Sequence, residues 1–489
     1  MSRRSESRCA ARCNHSHGGV HRREFMAIAS AAAASVAGVN WANAETAELN
    51  GPGASYVPKI MVCFARRKGE YGMRWPGQIF DGEAARKKYL KQIKEEAKKL
   101  GMNASIREVP IHSMEEGKAW LDEAVAAKPD GLMVIALDRQ EHTWPFIHTV
   151  VNSGIPTVVY SPLGTSFSTP GNTATLAGKT GCFVASTNDF GQALWGMKML
   201  KAGAKIRESR CLVIKGRKRG ETSLPGLGTK LQYVPAKSFL EEYQKTPVDD
   251  RVRKMAADLI KGSREQKLAT EQDVINGIKS YLVAQRMMAR EKADSISMDC
   301  LGALGRSKES LPCIAWSRMN DDAIPAACEA DHGAIASQLL VQNLFDRPGF
   351  QQDPVAETVE DAVIGAHCSC PTRLNGFSEP PEPYDILPHH GARDATRRTL
   401  WKVGQRVTML DVLLGSKDKP TQVLVDEGTV LKNMSAPPSG GCVVSVMVKF
   451  DSKVDVLAYP GFHQLFFYGE FKKPTVQYCR LFGLEPVVV

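Results

Sequence analysis

The stretch DGLMVIALDRQEHTWPFIHTVVNSGIPTVVYSP (130–162) decides the reading of the fold. Its apolar runs at 131–137 and 155–161 have strand length, and helical spacing fills 143–152 between them. A strand, a helix and a second continuous apolar strand describe a parallel βαβ unit with a sheet covered on both faces. The pattern extends toward the N-terminus. KIMVCFA (59–65) reads as a strand, and GEAARKKYLKQIKEEAKKLG (82–101) as a charged amphipathic helix stopped by Gly101. SIREVP follows as a strand, and SMEEGKAWLDEAVAAK as a helix opened by a Ser-x-x-Glu capping box.

Toward the C-terminus, SFSTPGNTATLAGKTG is rich in Gly, Ser and Thr and reads as a domain linker. A second alternating series follows: GCFVAST, a helix over 193–202, CLVIKG, LQYVP and long helices over 236–292. SISMDC and CIAWS (313–317) read as its last strands. Neither series contains GxGxxG or GxxxxGK[ST], so a nucleotide cradle is unsupported. Gly216 to Gly228 reads as a surface loop. After about 350 the helical spacing fades, and TLWKVGQRVTMLDVLL, TQVLVDEGTVLKNM, GCVVSVMVKFDS and HQLFFYGEF alternate with turns. One terminal helix then precedes EPVVV. The expected class is α/β: two Rossmann-like α/β domains with parallel sheets (55–165 and 178–348), then a β-rich C-terminal barrel or sandwich (349–489).

The chain has 489 residues and a net charge of +10, with 43% hydrophobic and 24% charged residues. Six arginines against two glutamates in residues 1–24 place +4 of that charge in a short tail. No Lys/Arg block is interleaved with aromatics, which speaks against a nucleic-acid partner. The tail itself reads as an export signal spanning 1–44. Arg22-Arg23 precedes Phe25, an Ala-rich run follows, and Ala42-Asn43-Ala44 offers the cleavage pattern. That run is too short and too weakly hydrophobic for a stable membrane span. It resembles a twin-arginine signal, implying an exported protein, periplasmic or extracellular. Of the twelve cysteines, ten fall beyond the tail without a CxxC pair, and most read as buried thiols.

Chemistry concentrates in three places. PAACEADHGAIASQLL, from Pro325, gathers Glu329, Asp331 and His332 in what reads as one helix, with Asn320, Asp321 and Asp322 ahead of it to cap it. Ala326, Ala327, Ala330 and Gly333 leave open space around Glu329. FQQDPVAETVEDAVIGAHC sets Asp353 before a proline and His367 at the end of a strand-like run. AYPGFHQLFFYGEF places His463 at the front of an apolar strand.

Together these segments resemble the L-fucose isomerase and L-arabinose isomerase family. ACEAD and QQDPV, with Glu329 and Asp353 24 positions apart, look like that family's metal-binding carboxylates. HQLFFYGEFKKPTVQYCRLFGLEPV is similar to its C-terminal segment, where a metal-binding histidine opens a strand. The resemblance implies Glu329, Asp353 and His463 as metal ligands, with His367 a weaker fourth and Mn²⁺ the expected ion. It implies an aldose–ketose isomerase acting on a pentose or deoxyhexose through a metal-stabilised enediolate, with Glu329 and Asp353 exchanging the proton. It also implies a homo-oligomer, often a hexamer. FARRKGEYGMRWPG departs from the family's substrate loop, leaving Arg66, Arg67 and Arg74 as substrate-binding candidates, Arg74 among them. A competing reading comes from 130–162, which also resembles periplasmic sugar-binding proteins. A third is an isomerase fold with a degenerate site.

Overall fold

The computed structural model describes residues 51–69, 81–139, 141–305, 307–389, 393–436 and 442–489. The export-signal segment 1–44 and Arg74 lie outside the described residues.

The first sheet is wholly parallel, in the order β2-β1-β3-β4-β5: β1 Lys59–Ala65, β2 Asn103–Ile106, β3 Gly131–Ala136, β4 Thr157–Ser161 and β5 Cys182–Ser186. β3 and β4 are buried along their whole length, as expected where helices cover both faces. A short helix α1 (Pro52–Ser55) precedes β1, and α2 (Gly82–Leu100), α3 (Met114–Ala127), α4 (Thr143–Val151) and α5 (Gly191–Glu208) accompany the sheet. Their ends follow the sequence. The Asp81 side chain accepts the N–H groups of Glu83 and Ala84, and Gly101 closes α2 at φ 64°. Ser113 caps α3, although Glu116 turns its carboxylate to the N–H of His112 rather than completing the box at Ser113.

Two expectations change here. The Gly/Ser/Thr-rich segment 166–181 is no domain linker, because it joins β4 to β5 within one sheet. GCFVAST therefore closes the first sheet instead of opening the second.

The second sheet has the order β10-β9-β6-β8-β7: β6 Arg210–Ile214, β7 Gly220–Ser223, β8 Lys230–Val234, β9 Ser295–Met298 and β10 Ala326–Cys328. It is parallel except at β7, an exposed edge strand antiparallel to β8 that lies inside the segment read as a loop. Helices α6 (Lys237–Lys245), α7 (Asp250–Gly262), α8 (Glu271–Glu291), α9 (Cys300–Leu304) and α10 (Cys313–Asp321) belong to this layer. CIAWS is the start of α10 and not a strand. Short apolar runs carry no periodicity that separates the two states, and this one is buried on every side.

The PAACEADHG segment is corrected as well. Ala326–Cys328 is strand β10, and the helix α11 begins only at His332 and runs to Phe345. Asn320 does not cap it. Its side chain pairs with the backbone of Ala326 in both directions, at 2.9 and 3.0 Å, and so pins the start of β10. Asp331 is the true N-cap, accepting the N–H of Ala334 at 2.8 Å.

The C-terminal third forms a closed antiparallel barrel. Strands β11 (Phe350–Glu357), β12 (Ala362–His367), β15 (Arg406–Leu413), β16 (Gln422–Asn433), β17 (Val444–Phe450) and β18 (Gln464–Tyr468) run β15-β18-β11-β12-β17-β16, and β15 pairs again with β16. Closure pairs both edges of these six strands. Phe350, Val363, Met409, Val446, Val448 and Phe466 fill the barrel core. β13 (Tyr384–His389) and β14 (Arg393–Thr399) make a separate hairpin. Helix α12 (Lys472–Phe482) leads to β19 (Glu485–Val488), which adds in parallel to β16. α11 packs on α5 and on β15, and its polar residues Ser337, Gln338 and Gln342 are buried and hydrogen-bonded. Among the described residues no helix is long and apolar enough to cross a membrane.

Candidate metal centre

Glu329 and Ala330 form the whole connection between β10 and the cap of α11. Both occupy the left-handed region, at φ 64° and 51°. Non-glycine residues there cost on the order of 1–3 kcal/mol each and persist where the surroundings impose them. Here the Ala330 N–H donates to Met298 O at 2.9 Å, and Asp331 is held by its capping bond. The turn projects Glu329 toward the barrel.

The barrel supplies the rest by register. Gln352 pairs with Gln464 across β11 and β18, and Asp353 pairs with Ala366 across β11 and β12. One step further along each partner strand brings His463 and His367 to Asp353 from opposite sides. His463 also has positive φ, at 56°, immediately before β18.

Glu329, His367 and His463 each bring one donor atom within 4.8 Å of the others, and Asp353 joins the group through His463. His463 Nε2 lies 3.2 Å from Asp353 Oδ1 and 3.7 Å from Glu329 Oε2. His367 Nε2 lies 3.9 Å from Glu329 Oε1, and the two imidazole centroids are 5.5 Å apart. Donors that each sit about 2.1 Å from one ion are separated by roughly 3–4 Å, so this spacing suits a single cation. A second observation agrees. Asp353 Oδ1 and His463 Nε2 are buried, yet neither makes a hydrogen bond of acceptable geometry. Buried polar atoms are ordinarily satisfied, so this pair is shaped for a partner that accepts both lone pairs. The imidazoles are buried, whereas Glu329 and Asp353 keep over a third of their side-chain surface accessible. The open side of the group is its carboxylate side.

Electrostatics separate the members. Burial raises Glu329 above the usual carboxylate range, with the charges of Asp353 and Asp331 adding to it against His463. Burial also opposes ionisation of Asp353, but the close approach of His463 and the charges of the nearby imidazoles hold it below its usual value. His463 rises to about 10: burial works against its charge, and Asp331 and Asp353 more than offset that. His367 falls to about 4 because burial disfavours its charged form.

Asp331 has a role that the residue pattern did not reveal. Its Oδ2 lies 2.9 Å from His463 Nδ1 while its other oxygen caps α11. A neutral His463 donating from Nδ1 then carries its lone pair on Nε2, facing Glu329 and Asp353. Carboxylates in this outer position orient ligating histidines and raise their basicity. An Asp two residues ahead of Gly333 at a helix start signals a cap, but its second partner lies 132 positions away. His332, its neighbour, turns aside to the hydroxyl of Tyr233 at 3.1 Å. At the opposite end of α11 a cleft of about 430 Å³, lined by Lys201, Lys205, Asp294 and Gln342, is separate from this group.

Neither a protein-family model nor a curated protein matches the chain. Solved structures to which it is similar include GanP, a glucose-galactose binding protein from Geobacillus stearothermophilus, at 14% identity over 50% of this chain and 78% of that one, with a TM-score of 0.17. Another is a sugar-binding protein of a sugar ABC transporter from Bacillus halodurans, at 16% identity over 56% and 81%, with a TM-score of 0.18. A sugar ABC transporter structure from Yersinia enterocolitica is 13% identical over 59% and 78%, with a TM-score of 0.17. At these values the likeness assigns no function to the chain.

Proposed function

We propose that this chain is a metal-dependent aldose–ketose isomerase of the L-fucose/L-arabinose isomerase type. What supports the reading is one observation: Glu329, His367 and His463, drawn from three distant segments, bring their donor atoms within 4.8 Å of one another, with Asp353 3.2 Å from His463. Two carboxylates and two imidazoles with an accessible side suit Mn²⁺ better than a closed structural zinc site. Bound there, the ion would supply Lewis acidity to a sugar carbonyl.

The chain's own residues would handle the proton. Glu329, raised by burial, is the stronger base of the two carboxylates and would take the proton from C2. Asp353 would help return it at C1. Environments that push two carboxyl groups apart are the usual sign of divided acid and base duties. Asp331 would keep His463 in the metal-ligating tautomer. The substrate class is a pentose or 6-deoxyhexose, and the protein is an exported homo-oligomer.

The rival reading, sugar binding without turnover, fits the two parallel α/β sheets. It gives no role to the barrel strands that carry Asp353 and His463. Mn²⁺-loaded protein and its Glu329→Gln variant, assayed on a panel of pentoses and 6-deoxyhexoses for ketose formation, separate the two. Turnover lost in the variant supports the isomerase. Tight sugar binding without metal or turnover in the unsubstituted protein establishes the rival.

A further inference from the structure

Directly behind the carboxylate–imidazole group lies a second cluster that the proposed isomerase chemistry does not use. Cys313 opens α10, Cys368 follows the last residue of β12, and His389 ends β13. Their three donor atoms lie within 4.8 Å of one another, with Cys313 Sγ 3.9 Å from His389 Nδ1. Cys328, the last residue of β10, continues the cluster. Its thiol contacts that of Cys368, lies 3.1 Å from Ser369 Oγ, and reaches Cys300 at the start of α9. All four thiols are free, and they and His389 are buried, none more than 7% exposed.

Thiols that merely fill a core as small hydrophobes have no reason to face one another. These come from four separate elements, yet their sulfurs converge with an imidazole at the carboxyl ends of β9 and β10. That is the end of a parallel sheet where ligands sit in α/β folds. Sulfur and imidazole donors are the ligand types of thiophilic ions. Zn²⁺ takes four of them in a tetrahedron, and Cu⁺ is selected by soft thiolate ligands.

We propose that Cys313, Cys368 and His389 bind a thiophilic metal ion, Zn²⁺ or Cu⁺. His367 joins this site to the other: its Nδ1 is 3.5 Å from Cys368 Sγ and its Nε2 is 3.9 Å from Glu329 Oε1. The chain thus holds two adjoining sites of opposite softness, sulfur-rich inside and oxygen-rich toward solvent. The inner site stands whether or not the outer one isomerises sugars.

The experiment uses the whole chain purified with a phosphine reductant. Metal content is measured after equilibration with Zn²⁺ or Cu⁺ and gel filtration, and a Co²⁺-loaded sample is examined for thiolate-to-cobalt absorption in the near ultraviolet. The expected result is about one equivalent of thiophilic metal and a clear charge-transfer band. Both are lost in a Cys313→Ser/Cys368→Ser variant and kept in Glu329→Gln. Retention of either ion in stoichiometric amount supports the site. The cobalt spectrum of the unsubstituted protein decides the matter even if the double variant does not fold. No stoichiometric metal and no charge-transfer band overturn the proposal.

Discussion

Asp331 and His463 are 132 positions apart in the chain and 2.9 Å apart in the fold. One carboxylate thereby caps α11 and orients the imidazole that faces Glu329 and Asp353. The helix start and the candidate metal centre are mechanically one unit.

Replacing Asp331 by Asn keeps a good cap and removes the charge behind His463. Stability of the metal-free protein should fall only through the charge lost from behind protonated His463, while Mn²⁺ affinity falls roughly 10–100-fold, the usual effect of losing such an orienting partner. Titration calorimetry with Mn²⁺ alongside thermal unfolding reads both quantities. Equal losses in the two would place Asp331 in the fold alone.

Protonation of His463 should be visible in the metal-free protein. Its folded-state pKa of about 10 exceeds the unfolded value of about 6.5. Its contribution to stability is therefore fully present below pH 6.5 and is lost as pH rises through 10. The difference in unfolding midpoint between the unsubstituted protein and His463→Gln should shrink steadily over that window. Mn²⁺ must displace the same proton, so its affinity should rise with pH. A pH-independent difference between the two proteins would refute the assignment.

Asp411 lies under the same loop, 1% exposed. Burial lifts its carboxyl to about 7, against the hydrogen bond from the Phe462 N–H and with the charge of Asp331 adding to the rise. Its folded pKa is above the unfolded value of about 3.9, so its contribution is complete below pH 3.9 and disappears as pH climbs through 7. Asp411→Asn escapes that loss. It should be more stable than the unsubstituted protein at pH 8, by on the order of 1–3 kcal/mol, and show no advantage at pH 4.

Gln351 connects the barrel to the Glu329 turn, because its Oε1 accepts the Cys328 N–H at 2.8 Å. Gln351→Leu leaves that buried N–H unpaired at an expected cost of about 1–3 kcal/mol. Denaturant unfolding measures it. The same variant should bind Mn²⁺ more weakly, since Cys328 immediately precedes Glu329, and unchanged binding would show that the turn is positioned by other contacts.

Much of this protein is written in local patterns. The continuous apolar runs of β1, β3 and β4 announce a parallel sheet, and the turn-separated runs after 350 announce the barrel. Glu329, Asp353, His463 and His367 are singled out by the resemblance to the isomerase family rather than by their own neighbours. Pairing is another matter, because hydrogen bonds between strands join residues far apart in sequence. The chain alone did not show that GCFVAST belongs to the first sheet, that CIAWS is helical, or that β10 interrupts the PAACEADHG segment. Runs of three to five apolar residues fit either state, and only their burial among neighbours selects one. The choice of cap followed the same logic: Asn320 was free to pin β10 once Asp331 took the helix. The thiol cluster has no sequence spacing at all. Cys313, Cys328, Cys368 and His389 meet because four elements end at one place, and such a meeting exists only in three dimensions.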